Sequence, residues 1–321
     1  VISDPTVASV EAAHGFVAEG AHDCVIALGG GSPIDTAKAV AVLAVRGGTM
    51  RARKVPHQED APALPIVAIP TTAGTGSEAT RVTVITDETN DEKMLCAGLA
   101  YLPTIAIVDY ELTLTKPLRR TADTGIDALT HAIEAYVSRL ANPFSDGMAL
   151  AAMRAIWPNL RTACAEPGNR AAREAMMAGS LQAGIAFSNA SVALVHGMSR
   201  PIGAHFHVPH GLSNAMLLPA VTAWSAPAAL PRYADCARAM GVADESEGDQ
   251  SAVARLLDEL AALNRELDVP GPAAWGIDAA RWEALVPTMC AQAAASGSPA
   301  NNPRVPGAEE MAMLYAQVWA G

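Results

Sequence analysis

Residues 24–38 read CVIALGGGSPIDTAK, and this stretch decides the fold class of the first part of the chain. Its first five residues are apolar and partly β-branched, which is typical of a buried β-strand. Three glycines, Ser32 and Pro33 follow, and serine and proline both favour the start of a helix. The stretch therefore predicts a buried strand, a tight turn with Ser32 as helix N-cap, and a helix over 32–45.

Short apolar segments alternate with helical stretches through the first third of the chain. We predict a helix over 6–18, buried strands over 24–28, 65–69 and 104–109, and a hairpin with arms 82–85 and 93–96. Strands separated by helices favour a mostly parallel sheet between helical layers. This pattern predicts an α/β fold for the N-terminal part.

Alanine-rich helical segments replace the strand-like runs after about Leu118. We expect helices at 122–140, 146–165, 171–188, 193–203, 214–224, 250–267, 279–295 and 308–319. The sequence therefore predicts an α/β domain over 1–117 and an all-helical domain over 118–321.

Composition and charge narrow the possible functions. The net charge of −11 argues against a nucleic-acid partner. The five cysteines are dispersed without a CxxC pair, which indicates free thiols in a reducing compartment. No apolar run reaches the length of a membrane span, about 18 residues, and no signal peptide is apparent. These features predict a soluble, cytoplasmic protein that binds neither nucleic acid nor membrane.

The glycines after the first strand can bind an anion. Gly29, Gly30 and Gly31 let a phosphate approach the backbone, and the N-terminus of the following helix offers free N–H groups. A second loop, PTTAGTGSE over 70–78, also follows a predicted strand. Two such loops at the ends of two strands favour one shared ligand crevice. Since the spacing is not GxGxxG, an ordinary turn without a ligand is the alternative.

Two pairs of side chains can together hold a metal ion. Asp127 and His131 are four residues apart and share one face of a predicted helix, while His196 and His210 are fourteen residues apart. One carboxylate and three imidazoles suit Fe²⁺, Zn²⁺ or Mn²⁺. The alternative is a structural hydrogen bond between Asp127 and His131, with the other two histidines in core or capping positions.

Four motifs together resemble the iron-containing (group III) alcohol dehydrogenase family. They are GGGSPIDTAK, PTTAGTGSEAT, TGIDALTHAIEAY and HGMSRPIGAHFHVPHGLSNAMLLP, in that order along the chain. The resemblance implies an α/β nucleotide-binding domain, an all-α C-terminal domain and a metal between them, an architecture like that of dehydroquinate synthase. It also implies NAD- or NADP-dependent interconversion of a small alcohol with its aldehyde or ketone, by a homodimer or larger homo-oligomer.

The same resemblance implies roles for individual residues. The metal ligands are Asp127, His131, His196 and His210; the pyrophosphate cradle is Gly30, Gly31 and Ser32 with Asp35 nearby; Thr71, Thr72 and Thr75, with Ser77 close by, meet phosphate and nicotinamide; Lys93 approaches the ribose; and Leu112 makes a backbone contact at the domain junction. Fe²⁺ is the expected metal, with Zn²⁺ as the alternative.

The family pattern differs from this chain at its start. The resemblance implies about sixty further residues before Val1, with the first strand and the acidic position that discriminates NAD from NADP. If the protein itself lacks these residues, we expect an incomplete adenosine pocket and an uncovered sheet edge; a truncated sequence is the alternative.

Arg200 stands where many members of the family carry a histidine, four residues after His196. Arginine does not ligate metals, but it binds carboxylates through two hydrogen bonds. We therefore hypothesise a polar or acidic substrate, such as a hydroxy acid or a semialdehyde; an ion pair with a nearby acidic residue is the alternative. His207 is a candidate for proton transfer.

Two other functions remain open from the sequence alone. One is a metal- and NAD-using lyase of the dehydroquinate-synthase type, which would require a site rich in lysine and arginine. The other is a non-catalytic, degenerate paralogue.

Overall fold

The computed structural model describes residues 4–320. Its N-terminal part contains α1 (Val7–Ala18), β1 (Val25–Gly29), α2 (Gly31–Arg46), β2 (Ile66–Pro70), β3 (Val82–Asp87), β4 (Glu92–Ala97) and β5 (Ile105–Ala106). Strands β1, β2 and β5 form a parallel sheet in the order β1-β2-β5, and β3 and β4 form a separate antiparallel hairpin. The predicted α/β fold and the hairpin are confirmed.

The rest of the described chain is helical. It contains α3 (Leu118–Val137), α4 (Pro143–Ala165), α5 (Arg170–Ala190), α6 (Leu194–Phe206), α7 (His210–Ser225), α8 (Leu230–Met240), α9 (Asp249–Glu266), α10 (Pro272–Trp275), α11 (Ala279–Ala295) and α12 (Ala308–Ala320). Every predicted helix is found. The sequence analysis missed α8 and α10, because each begins with a proline in its first turn, where proline is tolerated although it resembles a loop signal.

The parallel sheet differs from the prediction in length and burial. Strand β5 has two residues instead of the expected six, and the side chains of Ile26 and Leu28 on β1 are 66% and 61% exposed. One face of the sheet packs on α2 through Ala27, Ala68 and other small side chains. On the opposite face Val67 and Ile69 of β2 are half-buried. The strands were predicted to be buried on both faces, but the structure buries only one face completely.

The helical part holds the largest hydrophobic core, and α3 runs through it. From Thr121 to Val137, nearly every residue of this helix is buried, including the charged residues. The second glycine-containing loop approaches this helical part closely, since a Cβ on Gly184 of α5 would lie 2.8 Å from the Cα of Gly76. Because Gly76 and Gly184 have no side chains, the loop after β2 and helix α5 can approach each other this closely.

No single helix in the described part of the chain is long and apolar enough to cross a bilayer. The pair α5 and α6 meets those requirements only when taken together, and it is bent by 104°.

Candidate metal and nucleotide site

One cavity of about 560 Å³ extends from the ends of β1 and β2 to the core of the helical part. The predicted cofactor residues that line it are Gly30, Gly31, Ser32, Asp35, Thr71, Thr72, Thr75, Ser77 and Lys93. All four predicted metal ligands line it as well. Leu112 does not line the cavity; it lies half-buried in a 3₁₀ turn over Tyr110–Thr113. The fold therefore brings nearly all of the predicted residues to a single space.

The glycine-rich turn leaves the start of α2 open. Gly30, not Ser32, is the N-cap of this helix, and no side chain caps it. Ser32 lies one residue inside the helix, where its hydroxyl accepts a hydrogen bond from the Asp4 N–H at 3.1 Å. The predicted N-cap was wrong by two residues because glycine can also occupy that position. The uncapped start of α2 favours anion binding, since backbone N–H groups of the first turn have no side-chain acceptor.

The two glycine-containing loops touch each other across the cavity. A Cβ on Gly31 would lie 2.8 Å from Cγ2 of Thr75, and one on Gly30 would lie 3.2 Å from Oγ1 of Thr72. The Thr72 hydroxyl is buried and has no hydrogen-bond partner among residues 4–320. Because a buried hydroxyl without a partner is costly, this threonine is a position at which a ligand oxygen would be accommodated.

Asp35 and Ser77 hold the two loops in place. One carboxylate oxygen of Asp35 accepts a hydrogen bond from the Ser77 hydroxyl at 2.6 Å, and the other accepts one from the Val84 N–H at 2.9 Å. Burial raises the pKa of Asp35, although Lys38 and these hydrogen bonds act in the opposite direction. Both residues are thus engaged with each other, and their contribution to the cavity is to fix its shape.

Lys93 on β4 lies where the cavity passes from the sheet to the helices. Its side chain is only 5% exposed, and its Nζ lies 3.1 Å from a carboxylate oxygen of Asp4. The lysine also lies against α6, because a Cβ on Gly203 would meet its Nζ at 2.7 Å. Its charge is therefore paired within the protein.

The four predicted metal ligands converge from three helices. Asp127 and His131 lie on α3, His196 lies on α6, and His210 is the first residue of α7. One donor atom of each lies within 4.8 Å of the donor atoms of the other three. Oδ1 of Asp127 lies 3.4 Å from Nε2 of His196 and 3.8 Å from Nε2 of His210. Such convergence is what a single cation requires.

The charge states in this cluster suit metal binding. Burial opposes ionisation of Asp127, but the surrounding histidines hold the pKa of Asp127 well below its usual range. Burial lowers the pKa of His131 to about 3 and the pKa of His210 to about 4. At neutral pH the cluster therefore offers a carboxylate and the neutral imidazoles of His131 and His210, which are the forms that bind metals. Burial opposes protonation of His196, but its hydrogen bonds to Asp127 and Glu134 raise the pKa of His196, so a metal ion bound there would displace a proton.

Glu134 orients His196 although the sequence analysis did not include it among the site residues. Its carboxylate accepts hydrogen bonds from Nδ1 of His196 at 2.7 Å and from the N–H groups of Ala193 at 2.9 Å and Val195 at 2.5 Å. It thus satisfies the start of α6 and leaves Nε2 of His196 directed at Asp127. A carboxylate behind a ligating histidine is common at metal sites. Its spacing on α3, seven residues after Asp127, could have revealed it.

Asn214 is the second residue that the sequence analysis missed. Its amide nitrogen lies 2.6 Å from Oδ1 of Asp127, 3.0 Å from Nε2 of His196 and 3.3 Å from Nε2 of His210. Its Oδ1 and the Nδ1 of His131 are buried without a hydrogen-bond partner in the described chain. A buried acceptor without a donor, such as Nδ1 of His131, fits a cation, and the set of one carboxylate and three imidazoles, free of thiolate, suits Fe²⁺ or Zn²⁺.

The two residues predicted to act on the substrate have different locations. Arg200 is buried one turn after His196 on α6, lines the cavity, and donates a hydrogen bond from Nη1 to the Ser298 hydroxyl at 2.9 Å. His207 ends α6 in a left-handed conformation, with φ of 55°, and its exposed side chain does not line the cavity. The proton-transfer role predicted for His207 therefore lacks the necessary geometry, because the turn that ends the helix directs this residue to the surface.

Two family models match this chain. The family model described as iron-containing alcohol dehydrogenase matches residues 1–110, and the model described as Fe-containing alcohol dehydrogenase family, C-terminal, matches residues 121–319. The chain belongs to the iron-containing alcohol dehydrogenase family.

Individual relatives agree with this assignment. The probable alcohol dehydrogenase EutG of Escherichia coli (strain K12) is 39% identical over 98% of this chain and 78% of its own length. A crystal structure of 1,3-propanediol oxidoreductase has a TM-score of 0.93 and 35% identity, covering 99% of this chain and 82% of that one. Sulfoacetaldehyde reductase from Bifidobacterium kashiwanohense, in complex with NAD⁺, has a TM-score of 0.85 and 29% identity, covering 99% and 81%.

The family membership decides between the functions left open above. The protein is an oxidoreductase of alcohols and aldehydes, and the predictions of its fold, enzyme class and cofactors, a divalent metal with NAD or NADP, are confirmed. The lyase and the non-catalytic paralogue are not favoured.

Proposed function

We propose that this protein interconverts a small alcohol and its carbonyl compound in the cavity between the sheet and the helices, with Asp127, His131, His196 and His210 as metal ligands. The observation that carries the proposal is the convergence of these four donors at one end of a cavity whose other end is formed by Gly30 and the second glycine-containing loop. The names of its relatives, which include an alcohol dehydrogenase and an aldehyde reductase in complex with NAD⁺, support this.

The end of the cavity that contains Asp127, His131, His196 and His210 is called the metal end, and its residues have different roles. Asp127, His131, His196 and His210 would hold a metal that supplies polarisation of the substrate oxygen, and a nicotinamide bound in the same cavity would supply the hydride chemistry. Asp127 supplies one negative charge against three imidazoles, so a divalent ion held there keeps a net positive charge. Glu134 fixes the ring of His196 through Nδ1. Phe187 stacks on His131 with ring centroids 4.3 Å apart, which restricts that ring and places an apolar wall beside the cavity.

The residues of the nucleotide end would bind the dinucleotide through small groups. The uncapped N–H groups after Gly30 suit the pyrophosphate, and the hydroxyls of Thr71, Thr72 and Thr75 line the same space. Lys93, at the boundary between the two ends, suits the ribose. Leu112 lies away from this space and has no part in the proposal.

We also propose finer features that follow from the family resemblance. The chain divides into domains 1–117 and 118–321, and it acts in the cytoplasm as a homodimer or larger homo-oligomer. The five cysteines are free thiols, which suits a reducing compartment. Light scattering coupled to gel filtration tests the oligomeric state, and a monomeric mass contradicts that part of the proposal.

An assay with a panel of aldehydes tests the activity. The protein is stripped with a chelator, reloaded with Fe²⁺ or Zn²⁺, and mixed with NADH or NADPH and aldehydes of increasing length. We expect consumption of the reduced nucleotide only after reloading, with about one metal per chain by elemental analysis. Full turnover by metal-free protein, or metal binding without turnover of any aldehyde, contradicts the proposal.

A further inference from the structure

Arg200 brings a positive charge to the cavity, and its guanidinium forms no ion pair in the described chain. The residue is 7% exposed, and in residues 4–320 the only hydrogen bond of its side chain is the one to the Ser298 hydroxyl. No carboxylate of the described chain lies within 4.0 Å of its guanidinium. The ion pair considered as the alternative for this residue is therefore not formed. Burial of a charge without a partner is costly, so this arrangement is explained best by a ligand that supplies the missing negative charge.

The charge persists at physiological pH. Burial lowers the pKa of Arg200 to about 10, and the more distant Glu134 opposes that effect. The guanidinium is thus protonated near neutrality, and its remaining N–H donors are available to a ligand. Neighbouring Lys93 differs, because Asp4 already neutralises it at 3.1 Å.

The position of Arg200 relative to the metal end indicates the kind of ligand. His196 and Arg200 are four residues apart on α6 and both line the cavity, so they lie on one face of the helix, with Cβ atoms about 5–6 Å apart. The phosphates of a dinucleotide belong at the other end, beside the start of α2. An anion at Arg200 is therefore part of the molecule whose oxygen lies beside His196, which is the substrate.

We propose that Arg200 binds the carboxylate of a short oxo acid or hydroxy acid, because Arg200 and the metal ligand His196 line the same cavity one helical turn apart. This inference rests on the proposed function, since it names the substrate class of the same site. The planar guanidinium suits a carboxylate because two parallel hydrogen bonds can form, and the Ser298 hydroxyl holds it in orientation from behind.

A pair of matched aldehydes tests the inference. We compare kcat/KM for 4-oxobutanoate with that for butanal, which has the same chain length without the charge, at saturating NADH and equal metal content. We expect the wild-type protein to prefer 4-oxobutanoate by about 10-fold or more. In Arg200→Gln the ratio of the two values should fall by about 30-fold or more, since loss of one partner of a buried charge pair has effects of this size. An effect common to both substrates cancels in the ratio.

Two further variants distinguish the effect of the planar guanidinium from the effect of any positive charge in the cavity. Arg200→Lys keeps the charge but not the planar fork, so it should retain an intermediate preference, mainly through a raised KM for 4-oxobutanoate. Arg120→Gln removes another cation from the cavity lining and should change the ratio by less than about 3-fold, because it is exposed and its charge is screened by solvent.

Calorimetric titration of the metal-loaded protein with 4-hydroxybutanoate supplies a readout that does not require turnover. Binding should be detectable in the wild-type protein and weaker by about 30-fold or more in Arg200→Gln. If neither aldehyde is turned over but this difference in binding is found, the proposed function fails and the carboxylate site stands. If the ratio and the binding are unchanged in Arg200→Gln, or if the variant raises only the KM for NADH, the inference about Arg200 is overturned while the proposed function stands.

Discussion

The two ends of the cavity are built by different means. The metal end consists of side chains on α3, α6 and α7, of which Asp127, His131 and His196 are almost completely buried. The nucleotide end consists mainly of backbone and small hydroxyl groups at the ends of β1 and β2, on a sheet with one exposed face. At the metal end, the packed helical core holds the ligand side chains in position. At the nucleotide end, the cavity keeps its shape because the glycines have no side chains to fill it.

This difference leads to different sensitivities to mutation. At the metal end a single change removes a donor or leaves a buried polar group without a partner, and both are costly. At the nucleotide end an added methyl group meets a side chain that can partly move. We therefore expect severe effects at the first end and graded ones at the second.

His196→Ala should have the largest effect. It removes one of four donors, so metal affinity should fall by more than about 100-fold, beyond the range seen when only an orienting residue is lost. Turnover should fall with it. Elemental analysis after dialysis and NADH oxidation check both values, with His22→Ala, an exposed histidine, as the control. A variant that retains one metal per chain would show that His196 is not a ligand.

Glu134→Gln should weaken metal binding by about 10–100-fold, the range typical of residues that orient a ligand. The amide keeps one acceptor but cannot satisfy both Nδ1 of His196 and the N–H groups at the start of α6. Competition with a chromophoric chelator measures the affinity. Asp146→Asn is the control: it removes a carboxylate that pairs with Arg232 and does not belong to the metal cluster, so this variant should bind metal normally. Equal affinities in the two variants would refute the positioning role.

Gly31→Ala should weaken NADH binding by about 10-fold, because overpacking a tight contact costs about 1–3 kcal/mol. The new Cβ would lie 2.8 Å from Cγ2 of Thr75. Thr75→Ser removes that methyl group, so the double variant should recover part of the affinity in a fluorescence titration. Gly15→Ala, where nothing lies within 4 Å of the new Cβ, should leave the affinity unchanged. Equal losses in the single and double variants would exclude the steric explanation.

The buried Lys38 of α2 should make the free energy of unfolding depend on pH, and this is the smallest of the expected effects. Its Nζ donates hydrogen bonds to the carbonyls of Thr80 and Val82, and burial lowers the pKa of Lys38 from 10.5 to about 8. Above pH 8 the unfolded chain therefore binds a proton that the native protein releases, and stability from this group rises with pH. Between pH 8 and pH 9 the gain should be about 1 kcal/mol.

Urea unfolding at both pH values measures this gain as the difference between the wild-type protein and Lys38→Met. Other groups that titrate in this range contribute to both proteins and cancel. Lys116→Met, at a half-buried lysine, serves as the control. A difference that stays constant or decreases from pH 8 to pH 9 would contradict the expected sign.

Much of the fold could be predicted because its signals are local. Alanine-rich periodic segments identified the long helices, and two apolar runs around a polar turn identified the hairpin of β3 and β4. The exposure of Ile26 and Leu28 could not be predicted, since burial depends on what lies opposite a strand and not on the strand's own residues. The N-cap was misplaced for a related reason, because Gly30 and Ser32 are both suitable caps.

The candidate metal ligands were also visible in the sequence, through the four-residue spacing on α3 and the family motifs. Glu134 and Asn214 were not recognised, because their roles depend on where α6 and α7 pack against α3. The outward direction of His207 likewise depends on the backbone conformation that ends α6.

The order of residues along the chain was sufficient to establish the family, the succession of elements and the chemistry that the cavity can support. The three-dimensional arrangement was needed to learn which charges are neutralised and which are not: Lys93 has Asp4 beside it, and Arg200 has no carboxylate. The reason is that local preferences and motifs act over a few neighbouring residues, whereas the balance of buried charges is set by groups that are far apart in the chain and meet only when it folds.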